Sequence, residues 1–395
     1  MCYTQNRFKA LISACVMSLI ATAGWSQSLT WLGTLPGGGR SEAYGVSADG
    51  SVVVGGVFGS ATVWRAFRWT ELGGMQDLGD LGGGGSWAYG VSADGAVVVG
   101  WAYNAAWYGR AFRWTVEGRM QDLGTLPGGG GSYANDVSAD GAVVVGGARN
   151  AAGQRRAFRW TAGGGMQDLG TLGGSESEAY GVSADGAVVV GWAENAAGQR
   201  RAFRWTASGG MQDLGTLGGD WSEAYGVSAD GSVVVGRAAN AAGDWHAFRW
   251  TASSGMQDLG TLGALVSCAY GVSADGSVVV GESLNRAFRW TASRGMEDLS
   301  TTYARLTNGS VLIEARAISP DGRYIVGRGS VAFLLDTGFP RRGDVDRNGC
   351  VDDADLLQVL FAFGGRGYRN EDLNWDGTVD DADLLIVLFN FGSGC

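Results

Sequence analysis

The stretch Ala179-Tyr-Gly-Val-Ser-Ala-Asp-Gly-Ala-Val-Val-Val-Gly191 decides the fold, because near copies of it return along most of the chain. The aspartate of its Ser-Ala-Asp-Gly turn recurs at steps of 45 or 46 residues. The seven copies of this aspartate are Asp49, Asp94, Asp140, Asp185, Asp230, Asp275 and Asp321, the last in Ser-Pro-Asp-Gly. An Asp-Gly pair between two apolar runs is a strong hairpin signal, so each copy predicts two short antiparallel strands.

Each repeat also predicts a third and a fourth strand. Ala-Phe-Arg-Trp-Thr follows the hairpin, as at 202–206, and Met-Gln-Asp-Leu-Gly-Thr-Leu comes next, as at 211–217. Four strands in a repeat of about 45 residues, with no helical stretch, are typical of a β-propeller blade. The sequence therefore predicts an all-β, seven-bladed β-propeller over residues 28–338. A long β-solenoid is the alternative architecture.

The seventh repeat lacks its fourth strand, and the missing strand appears at the other end of the chain. Leu29-Thr-Trp-Leu-Gly-Thr-Leu35 matches the fourth-strand pattern, so residues 28–36 are predicted to complete the last blade. Within each blade we expect the arginine of Phe-Arg-Trp to pair with the aspartate of Met-Gln-Asp, for example Arg68 with Asp77. In the composite blade Leu334 and Trp31 replace these two charged residues together, which favours the same pairing.

The repeat resembles the HAF family of extracellular repeats, whose signature is His-Ala-Phe before an aromatic strand. Here His246-Ala-Phe248 keeps the histidine, whereas most other blades carry arginine. The resemblance spans about residues 28–338. It implies export and a propeller-like repeat, and it implies no particular activity.

The end of the chain carries two copies of a calcium-loop pattern, residues 344–355 and 372–383. Oxygen-bearing side chains stand at positions 1, 3, 5, 9 and 12, and glycine stands at position 6, which is the spacing that wraps six to eight oxygens around Ca²⁺. The alternative is an acidic, solvated loop without a metal. The predicted side-chain ligands are Asp344, Asp346, Asn348, Asp352 and Asp355 in the first loop, and Asp372, Asn374, Asp376, Asp380 and Asp383 in the second. Cys350 and Thr378 would add backbone carbonyls at position 7.

Residues 343–395 resemble the type I dockerin module of secreted bacterial proteins. The resemblance rests on the aspartate at position 12, on a short apolar helix after each loop and on the carboxy-terminal location. It implies a small α-helical module ordered by two calcium ions, with a cohesin-like or cell-surface protein as partner. The two helices, 356–363 and 384–391, carry no charge, so they suit packing on each other or on an apolar partner.

The first residues predict a signal peptide over residues 1–23. Arg7 and Lys9 precede an apolar run, and Ala21-Thr-Ala23 offers small residues for cleavage. After its removal no segment is expected to span a membrane, and the protein is predicted to be secreted from a bacterium, in the medium or on the cell surface. In an oxidising compartment a Cys350–Cys395 disulfide is our hypothesis, because the end of the second tail helix should return toward the first loop.

The amino-acid composition excludes some classes of function. A net charge of −10 without a basic stripe argues against nucleic acid. Catalytic residue types are scarce, because His246 is the sole histidine and Lys9 the sole lysine. We therefore predict no catalytic residue and no organic cofactor, and we leave the question of an enzyme open, with a non-enzyme favoured.

Two function classes remain open. The first is a binding or structural protein whose propeller presents a recognition rim for a polysaccharide or a protein. Aromatic residues in the variable loops would form this rim, among them Trp64, Trp107, Tyr108 and Trp245. The second is an enzyme acting on polysaccharides through two carboxylates on rim loops. Glu42, Glu178 and Glu223 recur in Ser-Glu-Ala-Tyr, and we interpret them as solvated rim residues rather than as catalytic acids.

Overall fold

The computed structural model describes residues 27–59, 63–338, 341–346 and 348–395. These residues form seven four-stranded antiparallel sheets and four short helices. The sequence-based prediction of a seven-bladed propeller with a small helical carboxy-terminal region is therefore confirmed, and the solenoid alternative is wrong. The predicted signal peptide, residues 1–23, lies outside the described residues.

Each of the first six blades is built from four consecutive strands. Blades 1 to 3 comprise β2 (Arg40–Val46), β3 (Val52–Phe58), β4 (Trp64–Thr70), β5 (Gly74–Asp77), β6 (Gly82–Val91), β7 (Val97–Asn104), β8 (Gly109–Thr115), β9 (Arg119–Asp122), β10 (Ser132–Val137), β11 (Val143–Arg149), β12 (Arg155–Thr161) and β13 (Gly165–Asp168). Blades 4 to 6 comprise β14 (Gly173–Val182), β15 (Val188–Asn195), β16 (Arg200–Thr206), β17 (Gly210–Asp213), β18 (Gly218–Val227), β19 (Val233–Asn240), β20 (Trp245–Thr251), β21 (Gly255–Asp258), β22 (Cys268–Val272), β23 (Val278–Glu282), β24 (Ala287–Thr291) and β25 (Gly295–Asp298).

The seventh blade joins the two ends of the propeller. It consists of β26 (Glu314–Ile318), β27 (Tyr324–Arg328), β28 (Ala332–Asp336) and β1 (Ser28–Gly33), in the order β1-β28-β27-β26. Strand β1 runs antiparallel to β28, with Trp31 opposite Phe333. Leu32, 6% exposed, packs with Phe67 of blade 1 and Ala332 of blade 7. The amino-terminal strand therefore closes the ring, as the sequence pattern predicts.

The repeated sequence explains why the blades stack. The valine runs of the second strands are buried on both faces, since each sheet is covered by a neighbour on either side. Val188 and Val190 of blade 4, for example, share one cluster with Val234 and Phe248 of blade 5. The Ser-Ala-Asp-Gly turn holds itself in place, because Ser183 Oγ donates to Asp185 Oδ1 (2.6 Å) and accepts from Val188 N (2.9 Å).

The charge pairing expected between the third and fourth strands is wrong by one residue. Phe67, not Arg68, lies opposite Asp77, because three residues, 71–73, form the turn between β4 and β5. Arg68 instead directs its guanidinium to the carbonyl of Gly95 in the next blade (Nε to O, 3.4 Å). The later blades repeat this contact between Arg159 and Gly186 (3.1 Å), Arg204 and Gly231 (3.0 Å), and Arg249 and Gly276 (3.0 Å).

The repeated aspartate has a different partner, the basic residue two positions before the phenylalanine. Arg65 Nε lies 3.0 Å from Asp77 Oδ2, and His246 Nδ1 lies 2.8 Å from Asp258 Oδ2. In the composite blade Leu334 lies opposite Thr30, so the joint replacement at Leu334 and Trp31 does not reflect a contact.

The remaining elements are helical. Helices α1 (Leu299–Thr302) and α2 (Ala304–Thr307) lie between blades 6 and 7, and α3 (Asp353–Ala362) and α4 (Asp381–Asn390) form the tail. Asp352 and Asp380 start the tail helices in reciprocal capping boxes with Asp355 and Asp383. The tail core is a small cluster that contains Val345, Val351, Val359, Val379 and Val387.

Candidate functional site

One end of the propeller channel opens into a ring of polar aromatic side chains, which we call the tyrosine funnel. Each blade contributes the residue at the tyrosine position of Ala-Tyr-Gly-Val, on its innermost strand. The seven residues are Tyr44, Tyr89, Asn135, Tyr180, Tyr225, Tyr270 and Arg316. They line a cavity of about 590 Å³ together with Trp101, Tyr133, Arg155 and Glu178. A repeated strand position thus becomes a binding-site wall because the blades are related by rotation about the channel.

Hydrogen bonds fix the funnel tyrosines. Tyr44 Oη donates to Glu42 Oε2 and Tyr225 Oη to Glu223 Oε2, each at 2.5 Å. Burial, followed by the hydrogen bond to Glu42, raises the pKa of Tyr44 well above its usual range. The phenols therefore stay protonated at neutral pH and can donate hydrogen bonds.

The charges around the funnel occur in pairs. Arg155 Nη1 lies 2.8 Å from Glu178 Oε2, and Arg237 Nη2 lies 2.8 Å from Glu223 Oε2. Arg316 pairs with Glu314 (2.6 Å) and stands over the ring of Tyr270, 4.3 Å from its centroid. The cavity wall is therefore polar but close to neutral.

The interpretation of the repeated glutamates as solvated rim residues is wrong. Glu42, Glu178 and Glu223 are only 8%, 5% and 5% exposed. They lie two residues before the funnel tyrosines, on the same face of the inner strand, and their arginine and tyrosine partners compensate for the loss of water. Burial raises the pKa of Glu178, although Arg155 opposes that effect.

A continuous row of aromatic rings leads from the funnel to the rim of blades 1 and 2; we call it the aromatic strip. Trp101 lines the funnel and donates from Nε1 to Tyr89 Oη (3.2 Å). The strip consists of Trp64, Trp87, Trp101, Tyr103 and Trp107, with successive ring centroids 6.0, 4.5, 5.0 and 5.9 Å apart. Its outer end, Trp107, is 70% exposed on a turn with φ of 62°.

Sequence reasoning found only part of this strip. It singled out Trp64, Trp107 and Tyr108 as aromatics of variable loops, and it missed Trp87 and Trp101. The signal was present as a departure from the repeat, because Trp87 stands where blades 1, 4, 5 and 7 carry glutamate. A search for the repeat pattern ignores such departures, although they are the positions at which one blade can offer a different binding surface from the others.

The first calcium loop brings three of its predicted ligands together. Carboxylate oxygens of Asp344, Asp346 and Asp355 lie within 4.8 Å of one another. Asp344 is 4% exposed, and its Oδ1 is buried without a hydrogen-bond partner. A buried, unpaired carboxylate oxygen beside two further carboxylates is costly unless a cation is present, so these residues fit Ca²⁺.

The other predicted ligands of the first loop are engaged within the loop itself. Asp352 accepts from Ala354 N (2.8 Å) as the helix cap, and Asn348 Oδ1 accepts from Cys350 N (2.7 Å). Asp355 accepts from the backbone N–H groups of Val345 (2.7 Å) and Asp352 (2.9 Å). These contacts shape the loop and leave each carboxylate a further lone pair.

The second loop repeats the same backbone pattern. Asp372 accepts from Gly377 N (2.9 Å) and Asp376 N (3.1 Å). Asp383 accepts from Leu373 N (2.6 Å) and Asp380 N (2.9 Å), and Thr378 N donates to Asp376 Oδ1 (2.9 Å). Burial, helped by the neighbouring carboxylates of Asp383 and Asp376, raises the pKa of Asp372 to about 7, against the backbone hydrogen bond from Gly377, which lowers it.

The three cysteines of the described chain take two roles. Cys350 and Cys395 form a disulfide, with Cα atoms 4.8 Å apart, and this bond ties the end of the chain to the first calcium loop. Cys268 is a free, buried thiol on the inner strand of blade 6. Burial raises its pKa to about 12, so the thiol is protonated and unreactive at neutral pH.

Comparison with known proteins supports the fold of this chain but identifies no family. No protein-family model and no curated protein matches the chain, so the resemblances to HAF repeats and to dockerins stay predictions. Among solved structures, the extracellular domain of a candidate one-component system of B. thetaiotaomicron is 12% identical, with a TM-score of 0.51, over 79% of this chain and 40% of that one. TolB from Acinetobacter baumannii is 14% identical, with a TM-score of 0.46, over 73% of this chain and 64% of its own.

The chain thus spans less than two thirds of the length of both proteins. At such identities the likeness to the extracellular domain shows a shared propeller fold. Within the part of the chain that the structure describes, no helix combines the length and apolar character needed to cross a bilayer.

Proposed function

We propose that this protein is an extracellular, non-enzymatic binding protein. Its propeller recognises a carbohydrate chain at the tyrosine funnel and the aromatic strip, and its calcium-ordered tail docks to a surface or scaffold partner. The observation that carries the proposal is the continuity of the two features, because Trp101 belongs to both. A binding surface that runs from an exposed rim residue into a cavity suits an elongated ligand.

The chemistry of the site favours a carbohydrate. Aromatic faces offer apolar area to the C–H faces of sugar rings, while tyrosine hydroxyls and carboxylates bind their hydroxyl groups. Each arginine at the cavity has an acidic partner, as in the Arg155–Glu178 pair, so the wall offers no unpaired charge for a strongly charged ligand. Buried polar groups held in place before binding also reduce the ordering cost.

The tail supplies the docking function in this proposal. Helices α3 and α4 expose equivalent apolar residues 28 positions apart, among them Phe361 (86% exposed) and Phe389 (84% exposed). Leu357 and Leu385, each 48% exposed, stand four positions before these phenylalanines and so lie beside them on their own helices. Large exposed apolar residues grouped on one surface mark an interaction site. The dockerin resemblance makes a cohesin-like protein the expected partner, with calcium ordering the two loops.

One observation favours the alternative of a polysaccharide-acting hydrolase or lyase. Glu178 lies in the cavity wall, and burial raises its pKa, which is the environment that suits a general acid. The carboxylates available for such chemistry line the channel mouth rather than the rim loops, where the sequence placed them.

A glycan array followed by calorimetry tests the proposal. We expect binding to a polysaccharide fragment, weakened about tenfold or more by Trp107→Ala, since loss of a sugar–aromatic stack costs on the order of 1–2 kcal/mol. Leu72→Ala is the matched control, because Leu72 is fully exposed on a turn outside the strip. Absence of binding to any glycan would count against the proposal. New reducing ends or unsaturated sugars that disappear in Glu178→Gln would establish the enzyme instead.

A further inference from the structure

The far end of the propeller channel is built from small residues and held by a belt of hydrogen bonds. One residue per blade, taken from the Ser-Ala-Asp-Gly turns, forms what we call the alanine belt: Ala48, Ala93, Ala139, Ala184, Ala229, Ala274 and Pro320. Six backbone bonds of 2.8–3.2 Å run from blade to blade around it, from Ala48 N to Ala93 O and onward to Pro320 O. Pro320 has no N–H and donates no seventh bond.

The tail occupies this end of the channel. Trp375 lines the same cavity of about 180 Å³ as the alanine belt and is 5% exposed. The surrounding wall consists mostly of alanine methyl groups and of valines such as Val46 and Val182, and it also includes Asp136 of blade 3. Because the belt residues are small, the opening admits a flat indole, which a ring of larger side chains would exclude.

Trp375 is part of the second calcium loop. It stands between Asn374 and Asp376, two of the predicted ligands, and its backbone is left-handed with φ of 60°. A bulky residue in this conformation is strained, and it persists where the surroundings hold it. The Tyr368 ring stacks parallel to the Trp375 indole at 6.3 Å between centroids.

Charged residues of the propeller also influence Tyr368. Burial raises the pKa of Tyr368 to about 12, and Asp140 and Asp185, in the turns of blades 3 and 4, contribute to the shift. Trp375 therefore lies at the belt end of the propeller, with the ring of Tyr368 stacked on it. Phe361 and Phe389 remain on an exposed surface of the tail.

We propose that the alanine belt is the docking surface for the second calcium loop, and that Trp375 is a plug whose seating is linked to calcium. When bound, calcium draws the loop oxygens together and fixes the loop backbone. Asn374 and Asp376, which flank Trp375, then hold its backbone in the left-handed conformation and so fix the direction of the indole. The tail is in this way a fixed cap on the propeller, and it leaves the tyrosine funnel as the open end of the channel.

Thermodynamic linkage between calcium binding and docking of the tail allows the proposal to be tested. If calcium favours the docked plug, then docking favours calcium by the same factor. A change on the propeller side of the contact must therefore weaken calcium binding to a loop whose own sequence is intact. Ala184→Phe is such a change, because it fills the opening without adding charge and lies outside both calcium loops.

The experiment uses the full chain and calcium alone. We expect two calcium-binding steps in calorimetry, one of which loses about fivefold or more in affinity in both Trp375→Ala and Ala184→Phe. X-ray scattering should show a longer maximum dimension for both variants, and for the parent chain in excess chelator. Leu72→Ala is the control, because Leu72 is fully exposed on a turn of blade 1, outside the alanine belt and both calcium loops, and it should change neither quantity.

Two results would overturn the proposal. Calcium affinities in Ala184→Phe equal to those of the parent chain would show that the loop does not sense the belt. Unchanged scattering after chelation and in Trp375→Ala would show that calcium and the indole do not hold the tail in place. Neither result depends on the ligand of the funnel, so the proposed function can stand or fall separately.

Discussion

Arg155 and Glu178 form an ion pair between neighbouring blades, with Nη1 2.8 Å from Oε2, at the wall of the tyrosine funnel. The glutamate side chain is 6% exposed and the arginine 34%. Asn135 of blade 3 also contacts this carboxylate, from Nδ2 to Oε1 at 3.4 Å. The pair therefore joins blades 3 and 4 where the ligand cavity begins.

Removing the arginine should leave a buried carboxylate without its charged partner. We expect Arg155→Met to lower the free energy of unfolding by about 1–3 kcal/mol, and Arg155→Met/Glu178→Gln to recover part of the loss. Urea unfolding measures both. The control is Arg294→Met, because Arg294 is 69% exposed and 3.7 Å from Glu297, a surface pair worth about 0–1 kcal/mol. Equal effects of Arg155→Met and Arg294→Met would contradict this account.

Closure of the ring by β1 predicts a large effect for one amino-terminal leucine. Leu32→Ala should cost about 2–4 kcal/mol, because it leaves a cavity among residues of blades 1 and 7. Leu72→Ala removes the same atoms from a fully exposed turn and should cost nothing measurable. Thermal unfolding compares the two variants. A Leu32→Ala protein as stable as its parent would mean that β1 does not hold the ring closed.

The fold could be predicted from the sequence repeat, whereas the candidate site could be recognised only from the residues that the fold brings close together. Seven copies of a turn and two strand patterns indicate blade number, strand order and ring closure without any contact information. The register between β4 and β5 depends on a single turn residue, which is why Arg68 was paired with Asp77 instead of facing Gln76. The tyrosine funnel could not be recognised from the repeat. A tyrosine such as Tyr180 recurs in most blades and therefore looks like a structural residue, and only the three-dimensional arrangement of the seven inner strands brings these residues together around one channel. The position of Trp375 could not be predicted, because contact between the tail and the propeller has no periodic signal in the sequence.

Close packing of the inner two strands explains the invariant Gly191 of the quoted stretch. A Cβ at this position would lie 1.9 Å from the carbonyl oxygen of Glu178, in backbone that cannot yield. We expect Gly191→Ala to destabilise the protein by about 3 kcal/mol or more. In contrast, Gly163→Ala, where a Cβ meets nothing within 4 Å, should change stability by less than about 1 kcal/mol. Chemical unfolding midpoints of the two variants check the contrast, and a tolerated Gly191→Ala would refute it.

The disulfide should stabilise the tail by restricting the unfolded chain. Cys350 and Cys395 are separated by 45 residues, a loop for which the chain-entropy account gives about 4 kcal/mol. Cys395→Ser should therefore lower the temperature at which tail helicity is lost, as followed by circular dichroism in calcium. Addition of reductant should reproduce this shift in the parent chain and have no further effect on Cys395→Ser. An additional effect of reductant on the variant would assign the stabilisation to another thiol.

Asp136 should make the stability of the propeller depend on pH. It occupies the channel wall of blade 3 at the position where most blades carry glycine, and burial raises its pKa to about 7. Between its ordinary pKa of 3.8 and 7 the folded state binds more protons than the unfolded state. Stability from this group is therefore complete below about pH 4 and is lost as the pH rises through 7, by on the order of a few kcal/mol.

Asp136→Asn removes this titration and tests it directly. Asp136 accepts from Val137 N (2.8 Å) and from Val182 N (3.0 Å), and asparagine can keep only one of these contacts. At pH 5, where the parent carboxyl is protonated, the variant should thus be about 1 kcal/mol less stable than the parent. The fall in melting temperature from pH 5 to pH 8 should be shallower in the variant than in the parent. Measurements in excess calcium keep the loop carboxylates ionised in both proteins. Parallel pH profiles for the two proteins would show that Asp136 is already ionised at pH 5 in the folded channel.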